Sequence, residues 1–251
     1  GFITWSLKQS PSVLTGVLKH QPAAVMLSFG DPRPFVDEIR AAGALLICQC
    51  QNMDHVWDAI DVGADVVVAQ GAEAGGHGAT RGTITLVPEA ADLLADHAPD
   101  TPLVAAGGIA DGRGLAASLM LGADGVLMGT RLWASAEALV HQNHLATIGP
   151  ATGDETVRTT TPDIARQINW PRGFTARIRQ NGFTRRWHGR EDELKKNIAT
   201  EGPKYRQAFT NGDPEDTGVW FGEAAGMITD IQPAGEIITD MVADAAERMG
   251  K

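Results

Sequence analysis

Residues 70–78 read Gln-Gly-Ala-Glu-Ala-Gly-Gly-His-Gly, one histidine among four glycines. Histidine is the side chain best suited to proton transfer near neutral pH. Glycine lets backbone approach a ligand and turn through dihedrals that other residues avoid. The apolar run Asp65-Val66-Val67-Val68-Ala69 leads straight into this stretch. A buried strand that ends in a glycine-rich loop is where an α/β protein places its chemistry, so His77 is the candidate catalytic residue.

Two further glycine sites have the chemistry of anion binding. Val104-Ala105-Ala106-Gly107-Gly108-Ile109 ends a strand in two glycines, just before a helix expected to begin near Gly112. Backbone N–H groups there, aided by the helix dipole, make an anion site. Val126-Leu127-Met128-Gly129-Thr130 again ends a strand in glycine, and Thr130 adds a hydroxyl donor. On consecutive strands, the pair matches the phosphate site that (β/α)8 barrels form after strands seven and eight.

The remaining reactive residue types read more plainly. His20, His55 and His97 fall on expected helices or their ends; His141, His144 and His188 fall in a helical, charged region. His141 and His144 stand at i, i+3, but no third metal ligand is evident, so no metal is expected. Cys48 and Cys50, at i, i+2 on a strand, share a face and read as core residues. Glu73 reads as orienting its loop, Ser28–Pro32 as a turn or a pocket lining, and Trp170 and Trp187 as a lid over the substrate site or, the favoured reading, as packing residues.

Six apolar runs must position these residues: Phe2–Trp5, Ala24–Phe29, Leu45–Gln49, Val66–Gln70, Leu103–Ala106 and Val126–Met128. Nearly continuous apolar strands belong to a parallel sheet covered on both faces. Helix-period segments lie between them at Pro11–Lys19, Pro34–Ala42, Asp54–Val62, Pro88–Asp96 and Gly112–Leu121. The repeats Ala42-Gly43-Ala44, Val62-Gly63-Ala64 and Leu121-Gly122-Ala123 each end a helix at a glycine cap and start a strand. Such units build either an open doubly wound sheet or a (β/α)8 barrel, and the order of motifs favours the barrel.

If Val126–Met128 is the eighth strand, Phe2–Trp5 is the third, and the chain opens inside a strand with two βα units missing. The expected organisation is a barrel portion at 1–131, a helical subdomain with little strand signal at 132–222, and a C-terminal segment at 223–251. In that last segment Ile237–Arg248 reads as an amphipathic helix packing on the barrel.

The chain has 251 residues, and 29 are glycine, about 12% against a usual share of about 7%. A net charge of −10 argues against a nucleic-acid partner, which favours a basic face. No apolar run is long enough for a membrane span, and no disulfide framework is apparent, so the cytoplasm is the expected compartment. Homo-oligomer formation is left open.

Residues 107–130 resemble the phosphate-binding half of FMN barrels, a pattern related to that of inosine-monophosphate dehydrogenase. The loop at 70–78 resembles that of the nitronate monooxygenases, formerly called 2-nitropropane dioxygenases. The resemblance covers most of the chain and is strongest over 45–131. It implies noncovalent FMN, with Gly107, Gly108, Gly129 and Thr130 holding the phosphate. Gln49 and Gln70 would approach the isoalloxazine ring or ribityl chain, and Gly75 and Gly76 would lay backbone against the flavin. It further implies dioxygen-dependent denitrification of alkyl nitronates or nitroalkanes, with His77 as general base and no nicotinamide. An FMN-dependent enoyl-acyl-carrier-protein reductase using NADH shares the barrel and the Gly-Gly-His loop and is the alternative enzyme. A non-catalytic binding module on the flavoprotein fold is the other alternative.

Overall fold

The computed structural model describes residues 1–250. Its described strands, in chain order, are β1 Phe2–Ile3, β2 Ala24–Ser28, β3 Leu45–Cys50, β4 Val66–Gln70, β5 Gly76–Gly78, β6 Leu103–Ala106, β7 Gly125–Leu127, β8 Thr156–Thr159 and β9 Thr175–Arg179. The chain divides into two compact units, one of residues 1–72, 80–106 and 117–127, the other of 73–79, 107–116 and from 128 onward.

The first unit is a parallel sheet in the order β1-β2-β3-β4-β6-β7. Neighbours follow the chain without reversal, as in the wall of a (β/α) barrel; a doubly wound sheet reverses at a switch point. Its core is the apolar interior that the runs predict, including Leu27, Leu46, Val67 and Ala105 from the strands and Ile39, Val56, Leu86 and Val87 from the helices. The expected strand at Phe2–Trp5 pairs only through Ile3, and the chain turns into a helix at Thr4. The helix expected from Pro88 starts earlier, spanning Thr83–His97 with Pro88 inside it. Proline favours a first helical turn, but here Leu86, Val87, Ala90 and Leu94 bury one continuous face across it.

The glycine caps form as the repeat predicts. Gly43, Gly63 and Gly122 take φ of 74°, 64° and 97°, the left-handed conformation that closes a helix. Ala64 N–H donates to Ala59 O and Ala123 N–H to Ser118 O, the long bond of the Schellman motif. The next residue secures the strand. Asp65 Oδ2 accepts from Leu46 N–H at 2.7 Å, and Asp124 Oδ2 from Leu103 N–H at 2.8 Å. Gly-Ala-Asp is thus a repeated joint that ends one element and registers the next.

The second unit is organised around an antiparallel sheet in the order β5-β9-β8. Residues 132–222 therefore hold strands as well as helices. Strand β9, Thr-Ala-Arg-Ile-Arg, buries Ala176 and Ile178 while Thr175, Arg177 and Arg179 stay partly exposed. That two-residue period is half hidden by arginines, whose long stems cover apolar surface. One core of this unit gathers Ala134, Ile148, Val219, Phe221 and Ile228; another gathers Ala165, Phe183, Leu194 and Tyr205, with Trp187 against it. The final helix spans Ala234–Arg248 and buries Ile237, Met241 and Ala245. No helix among the described residues is long and apolar enough to cross a membrane.

Candidate functional site

The end of the glycine-rich stretch is not loop but strand. Residues Gly76, His77 and Gly78 pair antiparallel with Arg177, Ala176 and Thr175 of β9. Pairing fixes the backbone on both sides of His77, so its side chain is aimed by a sheet. Its Nε2 lies 2.9 Å from Asp163 Oδ2, and the two side chains are only 11% and 4% exposed. The Trp170 ring lies parallel to the imidazole, with centroids 3.5 Å apart and planes at 11°. Trp220 stands at 5.6 Å, tilted by 35°. Arg166 closes the circle, 5.7 Å over the Trp220 ring and 4.0 Å from Asp163 Oδ1.

Arg158 on β8 holds the same segment by its backbone. Its guanidinium donates to Thr175 O at 2.8 Å, Gly78 O at 3.3 Å and Ala74 O at 3.5 Å. Burial, with Arg177 beside it, pushes the Arg158 pKa down to about 10. It stays cationic at neutral pH.

The expected site residues of this unit are stitched together by residues 221–223. A Cβ on Gly75 would stand 2.5 Å from Phe221 C and 2.6 Å from Gly222 N. The close approach that requires glycine at 75 is therefore to the protein's own backbone. Gly222 N–H donates to Thr130 Oγ1 at 2.9 Å, and Glu223 N–H to Glu73 O at 3.0 Å. Gly107 and Gly108 turn the chain with φ of 103° and 73°, and Glu73 Cβ would lie 3.1 Å from a Cβ on Gly108.

An FMN phosphate needs exposed backbone and donors, and the residues present fit that need. A Cβ on Gly76 or Gly129 would meet nothing within 4 Å, so the backbone there borders open space that a side chain would fill. Thr130 Oγ1 accepts from Gly222 and retains its own hydrogen to donate. The helix Gly112–Met120 carries its own anion, because Asp111 Oδ1 accepts from Gly114 N–H at 3.1 Å and Oδ2 from Arg113 Nε at 2.7 Å. Burial opposes its ionisation, but the Arg113 and Gly114 donors outweigh burial and hold the carboxyl below its usual range. The dipole of that helix is thus already answered by Asp111.

Gln49 and Gln70 belong to the parallel-sheet unit, near the carboxyl ends of adjacent strands. Gln49 Oε1 accepts from Ser28 Oγ at 2.6 Å, and Gln70 Oε1 from Gln51 Nε2 at 3.1 Å. Cys48 and Cys50 are buried and free of disulfide, as core residues. Burial pushes the Cys48 thiol up to about 12, which leaves it unreactive. Burial likewise lowers the pKa of His55. Among the described residues no group of His, Cys, Asp or Glu is arranged to hold a metal ion.

Asp163, Trp220 and Arg158 escape the sequence reading, whereas Trp170 stands in it only as a lid or a packing residue. Thr161-Pro162-Asp163 carries the signature of a helix start, proline followed by an acid in the first turn, and a helix does start at Thr161. That local role hides the distant one.

A family model described as nitronate monooxygenase matches residues 9–244. A nitronate monooxygenase of Neurospora crassa is 32% identical over 264 residues, covering 96% of this chain and 68% of that protein. The nitronate monooxygenase npaC of Metarhizium robertsii is 36% identical, covering 96% and 71%. Among solved structures, FabK from Thermotoga maritima superposes with a TM-score of 0.80 at 31% identity, covering 93% of this chain and 71% of that one. A nitroalkane oxidase from Streptomyces ansochromogenes superposes with 0.79 at 27% identity, covering 94% and 68%.

Proposed function

The chain belongs to the nitronate monooxygenase family, and from that premise we propose that it oxidises nitronates and the nitroalkanes that form them, with His77 as proton acceptor. The observation that carries this reading is the His77 imidazole held by buried Asp163 and stacked on Trp170. The sequential parallel sheet is proposed to be wall of a (β/α)8 barrel.

Nitroalkanes lose an acidic α-proton. In the proposed step the lone pair of neutral His77 takes that proton. The C–H electron pair stays with carbon and spreads onto the nitro group, giving the nitronate. The charge that appears on the imidazole faces the Asp163 carboxylate, 2.9 Å away. Trp170 covers one face of the ring and the side chain is only 11% exposed, so the proton transfer takes place in a partly dry setting.

FMN is the proposed cofactor; when bound it supplies the oxidation of the nitronate, with dioxygen as co-substrate. Gly107, Gly108, Gly129 and Thr130 are the residues proposed to hold its phosphate. Gln49 and Gln70 are proposed flavin contacts of the parallel sheet.

His77→Ala tests the reading. Turnover of neutral nitroalkanes is expected to fall by about 10²- to 10⁴-fold, the usual contribution of a positioned base. Turnover of preformed nitronates, which need no base, is expected to fall far less. Equal losses on the two substrate forms would reject His77 as base. NADH oxidation coupled to an enoyl thioester, without nitronate turnover, would support the reductase alternative instead.

A further inference from the structure

We propose that Asp163 is a positioning residue that acts through His77 and holds its neutral imidazole as the tautomer protonated on Nε2, with the basic lone pair on Nδ1. The proposal rests on the reading of His77 as proton acceptor and names the atom that accepts.

Three observations converge on it. First, Asp163 Oδ2 lies 2.9 Å from Nε2. An ionised carboxylate only accepts, so the hydrogen of the neutral ring must sit on Nε2 and the lone pair on Nδ1. Second, Asp163 is buried, and its other oxygen, Oδ1, has no hydrogen-bond partner. The nearest cation to Oδ1 is Arg166, at 4.0 Å. A buried carboxylate satisfied at one oxygen is costly, and a positive charge arriving on the imidazole offsets part of that cost. Proton transfer from substrate carbon to Nδ1 therefore turns a hydrogen bond between the carboxylate and a neutral imidazole into a buried ion pair.

Third, the ring has little freedom to turn the other nitrogen toward Asp163. Its backbone is paired with Ala176, and one face is covered by Trp170 at 3.5 Å. Flipping the imidazole about its Cβ–Cγ bond would break the Asp163 contact and swing the ring edge into the indole.

The test reads the tautomer directly. In protein labelled with 15N-histidine, the His77 signals are identified as those missing from His77→Gln. The expected spectrum of the neutral ring has a pyrrole-type Nε2 and a pyridine-type Nδ1. A wild-type His77 protonated on Nδ1 would overturn the proposal, whatever any variant does.

Asp163→Asn keeps the shape but lets an amide NH2 face Nε2, so a mixed tautomer is expected. Its nitroalkane turnover is expected to fall by about 10- to 1,000-fold, less than the roughly 10⁴ that the orienting carboxylate of a serine-protease triad supplies. Nitronate turnover and the thermal midpoint are expected to change little. A folded variant with wild-type tautomer and wild-type nitroalkane turnover would refute the positioning role while leaving His77 as base. Equal loss on both substrate forms in His77→Ala would instead remove the base itself, and this role with it.

Discussion

At Asp65 and again at Asp124, the parallel sheet is registered by partners 19 and 21 residues away. At His77 the partner, Asp163, is 86 residues away. Closing the longer loop costs only about 1.3 kcal/mol more, because closure entropy grows with the logarithm of length. Separation is therefore not what sets the two regions apart. The joints of the sheet depend on one glycine cap and one carboxylate each, repeated with the same local sequence. The surroundings of His77 depend on residues from six separate segments: β5, β8, β9, the helix Thr161–Arg166, the stretch holding Trp170, and residues 220–223. A joint needs only two neighbouring strands, whereas a convergent site exists only when all its segments are in place.

Gly75→Ala carries the largest expected effect. The new methyl would press on the backbone of Phe221 and Gly222, which cannot yield as a side chain can. A loss of about 1–3 kcal/mol is expected from overpacking, measured by urea unfolding. Nitroalkane turnover should fall as well, because β5 begins at the next residue. Wild-type stability in this variant would mean that residues 221–223 do not clamp the segment.

Asp124→Ala and Asp65→Ala test the other side. Each removes the acceptor of a backbone N–H and should cost about 1–2 kcal/mol in the same unfolding experiment. The ratio of nitroalkane to nitronate turnover should stay unchanged, since neither residue touches the His77 surroundings. A changed ratio would mean that the sheet joints and the His77 segment are coupled.

The smallest effect concerns His144, which is buried and whose pKa is lowered by burial and then by nearby His141. The unfolded chain binds a proton near pH 6.5, where the folded chain still refuses it. Stability from this group is therefore complete above about pH 6.5 and declines as the pH falls through that value. His144→Gln should flatten this part of the stability profile. An unchanged acid limb would assign the decline to other groups, His55 first among them.

How much of this was legible without coordinates differs between the regions for the same reason. The strands β2, β3, β4 and β6 are visible as apolar runs, and the helix ends as Gly-Ala repeats, because both signals are written within a few residues. His77 stands out through its neighbours along the chain, and the motifs at 107–108 and 129–130 carry the family resemblance. Strand β9 is obscured because its alternating partners are arginines, and the start of the helix Thr83–His97 because Pro88 imitates a first turn.

The sequence by itself determined the parallel α/β character, the glycine joints, the family and the identity of the candidate base. Only the tertiary structure decided what faces that base. Asp163 looks like an ordinary acid in a first helical turn and Trp170 like a lid or a packing residue, yet both face His77. Periodicity and turn chemistry are short-range and can be read along the chain; the pairing of a buried carboxylate with an imidazole is settled by packing, where distant segments compete for the same space.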